Sequence, residues 1–190
     1  MMYTGARIGE VCQLRLEDIE ALGKYNVIHF RHKPELGQTL KHANKKLMKS
    51  NGDVKRIVPV HPDLVKLGFL RLVEDMKSLG EVKLFPKEKR TNGRSGVLMA
   101  KKVKTFLKGC IGRDTDKSAH CFRHSFICWF NQHVNLSSSQ DRIFKAMVGH
   151  TTEGESIGPD ITWDVYGGNI TIQQMMELIK KLDYDLSETS

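Results

Sequence analysis

A chain of 190 residues with 39% hydrophobic residues can bury one core, so we expect a single domain over residues 1–190. Thirty Lys and Arg against 22 Asp and Glu give a net charge of +8, which favours polyanionic partners such as nucleic acid. No apolar run approaches the roughly 18 residues of a membrane span and no signal peptide precedes Tyr3, so we exclude a membrane protein and predict a soluble, cytoplasmic one.

The first predicted element is a helix that follows a turn at Thr4 and Gly5. Its apolar stripe is formed by Ile8, Val11, Cys12 and Leu14, with Leu16 and Ile19 continuing it past an expected bend. Arg7 lies off this stripe, beside the turn. Taken alone, Arg7 is most simply a solvated helix arginine.

Two strands are predicted between residues 26 and 60. Residues 26–32 alternate Ile28 and Phe30 with polar residues, which is the period of a half-buried strand. Asn51-Gly52 predicts a hairpin tip, because both central residues of a type I′ turn need positive φ, and a second strand should follow over residues 54–60. Lys49 lies just before this tip.

Two amphipathic helices are expected next. The first begins at Pro62 and ends at Gly80. Its apolar residues are Val65, Phe69, Leu72, Met76 and Leu79. After a short apolar segment at residues 84–86 and a basic loop at residues 87–96, a second helix carries lysines on its polar faces. Its apolar residues are Met99, Val103, Phe106, Leu107 and Cys110.

The next helix is expected to be well buried, with Phe122, Phe126 and Trp129 or Phe130 facing inward. His120 and Arg123 lie at its N-terminal end. Residues three apart share one face of a helix, so these two side chains should point the same way. A helix N-terminus also favours anions through its free N–H groups and dipole.

Two further helices complete the chain. Residues 137–139 offer N-caps to a helix that Gly149 should end, so His150 comes directly after a helix end. A loop at residues 151–162 and Tyr166 precede the last helix, in which Thr171 and Gln174 form a capping box. The apolar face of the last helix is Ile172, Met176, Ile179 and Leu182. This face can pack on its own domain or on that of a neighbour.

The four cysteines show no paired spacing, and three of them lie in apolar helical patterns, so we expect reduced core thiols. A zinc site made by Cys121, His124 and Cys128 is the alternative interpretation. No cage of acidic residues accompanies the arginines and histidines, and we therefore expect neither a metal nor a cofactor.

Four motifs occur in the order "TGARIGEVCQL", "HCFRH", "VGH" and "VYGG". Together they resemble the catalytic domain of tyrosine recombinases, the phage integrase family. The likeness extends through the predicted strands and "RIVPVHPDLVKLGFL", so it covers nearly the whole chain. It implies a mixed α+β, mainly α-helical fold, with a small antiparallel β-sheet packed at one side of a helical core.

The resemblance assigns three residues to the scissile phosphate. Arg7 and Arg123 would clamp its two non-bridging oxygens, a task suited to the rigid guanidinium group. His150 would donate a hydrogen bond to the same phosphate. The substrate implied is double-stranded DNA.

The resemblance assigns three further residues to bond making and proton transfer. Tyr166 would attack phosphorus and give a 3′-phosphotyrosyl DNA with a free 5′-hydroxyl. His120 would act as general base and Lys49 as general acid towards the leaving 5′-oxygen. One phosphodiester replaces another, so neither ATP nor a metal is required.

The chain departs from the family pattern in three places. The interval from His150 to Tyr166 is longer than usual, and Tyr184 is the nearest rival nucleophile, although we expect it at the surface. Lys46 and Lys55 flank the same hairpin as Lys49. The family's N-terminal DNA-clamping domain and the first helix of the catalytic domain have no counterpart before Tyr3.

Other interpretations fit parts of the sequence. Type IB topoisomerases share this chemistry but usually carry lysine where this chain has His120. A truncated DNA-binding remnant that no longer cuts, and a basic globular domain with coincidental histidines, are the remaining alternatives. The family works as a tetramer on DNA, whereas the isolated domain should be monomeric and bind DNA weakly, with an affinity that falls steeply with salt.

Overall fold

The computed structural model describes residues 1–31, 56–88, 91, 95–113, 115–149 and 170–184. Within these ranges the chain forms seven α-helices and one three-stranded antiparallel sheet, which confirms the predicted mixed and mainly helical class. The strands are β1 (Ile19–Leu22), β2 (Tyr25–Phe30) and β3 (Arg56–Pro59). The helices are α1 (Ile8–Cys12), α2 (Pro62–Lys66), α3 (Phe69–Ser78), α4 (Val97–Ile111), α5 (His120–His133), α6 (Ser138–Val148) and α7 (Ile172–Ile179), and a short 3-10 helix spans Leu16–Asp18.

The sheet has the strand order β1-β2-β3, with Ile19 opposite Ile28 and Val27 opposite Pro59. The two predicted strands are confirmed over the described residues, but β1 was expected to continue the first helix. The Asp18 carboxylate accepts the Arg15 N–H at 2.9 Å, which stabilises the 3-10 turn and ends helical growth. Asn51-Gly52 and Lys49 lie outside the described residues.

The helix predicted from Pro62 to Gly80 is two helices, and this prediction was wrong. Gly68 adopts a left-handed conformation with φ of 88° between α2 and α3. This interruption breaks the helical period, so spacing across it does not define one face. Within α3, Val73 is the buried residue, at 2% exposure. Leu79 of the expected stripe follows the last residue of α3 and is 71% exposed.

The core is centred on α5 and α6. Phe126 and Phe130 of α5 are fully buried, and both rings lie against Phe144 of α6, with centroid distances of 5.9 and 4.8 Å. Phe130 rather than Trp129 is the inward residue, because Trp129 is only partly buried. The predicted burial of α5 is confirmed.

The ends of α6 and α7 follow the predicted capping pattern. Ser137 Oγ accepts the Gln140 N–H at the start of α6, and Gly149 ends that helix with φ of 65°. Thr171 and Gln174 form the reciprocal capping box of α7. α7 packs on α6 and β3 of its own chain, so its apolar face is covered within the domain.

The expected core thiols are confirmed at one position only. All four cysteines are free, but Cys12 alone is buried, while Cys110 and Cys128 are exposed on the outer faces of α4 and α5. Over the described ranges, no group of three or more His, Cys, Asp and Glu side chains is arranged to hold a metal ion. None of the helices described is both long and apolar enough to cross a membrane.

Candidate anion-binding site

The structure describes three of the six predicted site residues, Arg7, His120 and Arg123, and brings them together. Arg123 donates to the Gly5 carbonyl, two residues before Arg7, and His120 lies three residues before Arg123 in α5. After burial and the charge of His124, the charges of Arg123 and Arg7 lower the pKa of His120. Lys49, His150 and Tyr166 lie outside the described residues. The catalytic roles of all six residues stay predictions.

Arg123 is buried in the first turn of α5, with only 2% of its surface exposed. Its Nη1 donates a hydrogen bond to the Gly5 carbonyl oxygen, whereas Nη2 is buried and has no hydrogen-bond partner among the residues that the structure describes. Burial, followed by the charges of Arg7 and Arg56, lowers the pKa of Arg123 to about 10. The guanidinium is therefore still cationic at neutral pH, and one of its nitrogens lacks an acceptor.

The turn before α1 requires glycine at position 5. Its φ is +60°, and a Cβ at this position would lie 2.9 Å from Phe126 Cδ1 and 3.0 Å from Val148 Cγ1. The turn is closed by hydrogen bonds from the Thr4 and Gly5 N–H groups to the Met1 carbonyl. Close packing on α5 and α6 thus fixes the carbonyl that receives Arg123.

Arg7 lies at the start of α1, with half of its side chain exposed. Its backbone N–H donates to Glu10 Oε2 at 2.6 Å, which caps the helix. Its guanidinium makes a longer contact of 3.4 Å from Nη1 to Glu10 Oε1. Within the described part of the chain, most of the five N–H donors of this side chain remain open to another acceptor.

Sequence reasoning missed the ion pair of Arg56 and Glu10. Arg56 is 1% exposed, and its Nη1 and Nη2 donate to the two Glu10 oxygens at 2.6 and 2.9 Å. Its Nε donates to the Met147 carbonyl at 2.9 Å, and its guanidinium lies over the Phe30 ring at 4.4 Å. A charged residue opening the apolar strand "RIVP" was the only local signal of this role.

The environment of Glu10 keeps this carboxylate ionised. Burial alone would raise its pKa, but the hydrogen bonds and charge of Arg56, aided by the Arg7 N–H, lower it from 4.5 to about 2. Arg7 and Arg56 both pair with Glu10, and Arg123 lies near enough for the charge of Glu10 to affect its pKa. These three guanidinium groups and the Glu10 carboxylate together carry a net charge of +2.

The ion pair of Glu10 with Arg56 predicts that the fold loses stability in acid. Because folding lowers the pKa from 4.5 to about 2, the ionised carboxylate stabilises the fold above pH 4.5, and this contribution is lost as pH falls towards 2. We expect the free energy of unfolding, measured by urea titration, to fall over this range and to fall less steeply in Glu10→Gln. The exposed carboxylate Glu74 provides the control variant Glu74→Gln, which should keep the wild-type slope. An equal slope in wild type and Glu10→Gln would contradict the prediction.

His120 is the first residue of α5 and is exposed. Its ring meets that of His124 edge-on, with centroids 4.6 Å apart. Partial burial, and then the charges of His124, Arg123 and Arg7, lower the pKa of His120 below its ordinary 6.5. The ring is therefore neutral at pH 7 and can accept a proton.

Tyr184 was expected at the surface, and it is partly buried against the core. Its hydroxyl donates to the Met2 carbonyl at 3.1 Å, and its ring meets that of Tyr3 edge-on at 5.4 Å, since the buried Leu182 holds the segment against the core. Burial, with a smaller effect of Tyr3, raises the pKa of Tyr184 to about 12. A phenol that is tied to the backbone and hard to ionise is poorly suited to nucleophilic attack.

Comparison of the chain with protein-family models, with curated proteins and with solved structures found no match. The described part of the site is a partly buried cationic cluster with an unpartnered guanidinium nitrogen, beside a neutral imidazole. Such an arrangement favours binding of an anion such as a phosphate group.

Proposed function

We propose that this chain is the catalytic domain of a tyrosine recombinase, a site-specific DNA strand transferase with the tyrosine-recombinase fold. It would cleave and rejoin DNA through a 3′-phosphotyrosyl intermediate, without ATP or a metal ion. The observation that carries the proposal is the buried, unpartnered Nη2 of Arg123 beside the half-exposed Arg7.

An anion at this position would relieve an energetic cost. A buried donor without a partner destabilises a fold by about 1–3 kcal/mol. A phosphodiester oxygen that accepts from Arg123 Nη2 removes that cost, and a second oxygen can accept from the open donors of Arg7. Both hydrogen bonds are charge-assisted, and they hold phosphorus in a fixed position. The excess of positive charge also stabilises the additional negative charge of the transition state.

Bond making would then follow the assignments implied by the motifs. A lone pair on the Tyr166 hydroxyl oxygen attacks phosphorus, and the phenol proton passes to His120, whose depressed pKa leaves it neutral and able to accept. The bond from phosphorus to O5′ breaks, and Lys49 protonates the leaving oxygen. Rejoining reverses these steps with a different 5′-hydroxyl.

The proposed partner is double-stranded DNA, on which the protein would assemble as a tetramer. The net charge of +8 favours this polyanion. Because α7 packs on its own chain, the isolated domain would be a monomer. Its place of action would be the cytoplasm, where cellular or phage DNA is accessible.

Covalent capture on random DNA tests this function and finds the target site in the same experiment. The protein is incubated, in a metal chelator, with random duplexes that carry sulfur in place of O5′, which makes cleavage hard to reverse. We expect detergent-resistant protein–DNA adducts, enrichment of one sequence over successive rounds, and no adducts with Tyr166→Phe. Adducts that form equally with Tyr166→Phe would contradict the proposal. Relaxation of supercoiled plasmid without sequence enrichment would instead favour a type IB topoisomerase.

A further inference from the structure

The Arg56–Glu10 pair lies at the centre of the cationic cluster, and the motifs assign it no role. Glu10 is the carboxylate that Arg7 and Arg56 share. Arg56 occupies both of its oxygens, at 2.6 and 2.9 Å, while the Arg7 guanidinium reaches one of them at only 3.4 Å. The two arginines therefore compete for one negative charge, and Arg56 holds it more closely.

Arg56 is fixed in place by contacts that do not involve Glu10. Its Nε donates to the Met147 carbonyl near the end of α6, its guanidinium lies on the Phe30 ring, and the Gly149 backbone packs against it. With 1% exposure, this side chain has no room to move towards solvent. Arg7, by contrast, is half exposed and free to turn towards either a carboxylate or an incoming anion.

We propose that Arg56 is a positioning residue that keeps the Glu10 carboxylate from pairing closely with the Arg7 guanidinium, and so leaves this guanidinium available to a phosphate. This inference rests on the proposed function, since it assumes that Arg7 binds a substrate phosphate. Without Arg56, the carboxylate would turn to Arg7, form a close pair with it and occupy its donors. Arg56 thus acts through Glu10 and need not contact the substrate.

The test measures binding of inorganic phosphate through the ring-proton NMR resonance of His120, in the absence of DNA. We expect Arg56→Met to bind phosphate about tenfold more weakly than wild type, the loss typical of one charge-assisted hydrogen bond. Adding Glu10→Gln to Arg56→Met should restore wild-type affinity, because the competing charge is gone. Lys77→Met removes a cation from an exposed ion pair with Glu74 and is the control that should change nothing.

A role confined to packing would give a different pattern. In an Arg7→Ala background, Arg56→Met should have little further effect on phosphate affinity, because Arg7 is the group that it protects. An Arg56→Met effect of the same size with and without Arg7 would overturn the proposal, as would wild-type affinity in a folded Arg56→Met variant. If Arg56→Met does not fold, the single variant Glu10→Gln provides the test. We expect Glu10→Gln to bind phosphate at least as tightly as wild type. Weaker binding of phosphate by Glu10→Gln would overturn the inference.

Failure of this inference can be told apart from failure of the proposed function. If phosphate binding depends on Arg56 as described but no DNA adduct forms, the inference about Arg56 holds and the recombinase proposal fails. If adducts form but Arg56→Met does not change the phosphate affinity, the recombinase proposal holds and the inference about Arg56 fails. A wild-type protein that does not bind phosphate at all would overturn the inference.

Discussion

Arg123→Met is expected to slow formation of the covalent DNA adduct by ~10²–10³-fold, the usual cost of removing one group that stabilises a developing negative charge. Methionine fills much of the same buried space but donates no hydrogen bond to phosphate. DNA affinity should change little, because most of the binding energy comes from contacts with other phosphates. Single-turnover adduct formation on the enriched duplex measures the rate, and binding of the same duplex measures the affinity.

Arg7→Ala is the comparison variant that separates an effect on the reaction rate from an effect on stability. Loss of Arg123 leaves the Gly5 carbonyl without its donor, which should also destabilise the fold by about 1–3 kcal/mol. Arg7 is half exposed, so Arg7→Ala should slow the reaction similarly with little change in the free energy of unfolding. A wild-type rate in either folded variant would show that the two arginines do not act on the scissile phosphate.

Gly5→Ala is expected to destabilise the domain by about 2–5 kcal/mol, through a left-handed backbone and close contact with the core. The added Cβ would lie 2.9 Å from Phe126 Cδ1 and 3.0 Å from Val148 Cγ1, and both side chains are fully buried and cannot move aside without cost. Gly23→Ala is the matched control, since Gly23 has the same φ of +60° with no atom within 4 Å of an added Cβ. Gly23→Ala should lower the free energy of unfolding by about 1–2 kcal/mol, because only the backbone is strained.

Urea unfolding of Gly5→Ala and Gly23→Ala separates the two contributions. The difference between them reports the contact of the turn with Phe126 and Val148. Gly5→Ala should also slow adduct formation, because displacement of the Gly5 carbonyl removes the acceptor that orients Arg123. Equal destabilisation by the two substitutions would mean that the turn does not pack as closely as described.

The features that were predicted correctly from the sequence depend on residues close together in the chain. The N-cap at Ser137 and the capping box of Thr171 and Gln174 involve residues three apart. The alternation of Ile28 and Phe30 likewise reports a strand from its own residues. Local periods and hydrogen bonds are sufficient to identify such elements.

The features that were missed depend on contacts between distant segments or on backbone conformation. The pair of Arg56 and Glu10 joins residues 46 apart, and the bond from Arg123 to Gly5 joins residues 118 apart. Contacts between residues so far apart produce no periodic pattern in the sequence from which they could be predicted. Gly68 fits the predicted helical pattern as an ordinary residue, although its left-handed conformation divides the helix in two.

The most direct test of the central claim is to identify, by mass spectrometry, the residue that carries the nucleotide in captured adducts. After digestion of protein and DNA, we expect one nucleotide-bearing peptide, with the phosphate attached to the hydroxyl oxygen of Tyr166 through the 3′ end of the cleaved strand. Attachment to Tyr184 or to a serine, or attachment through a 5′-phosphate, would contradict the account.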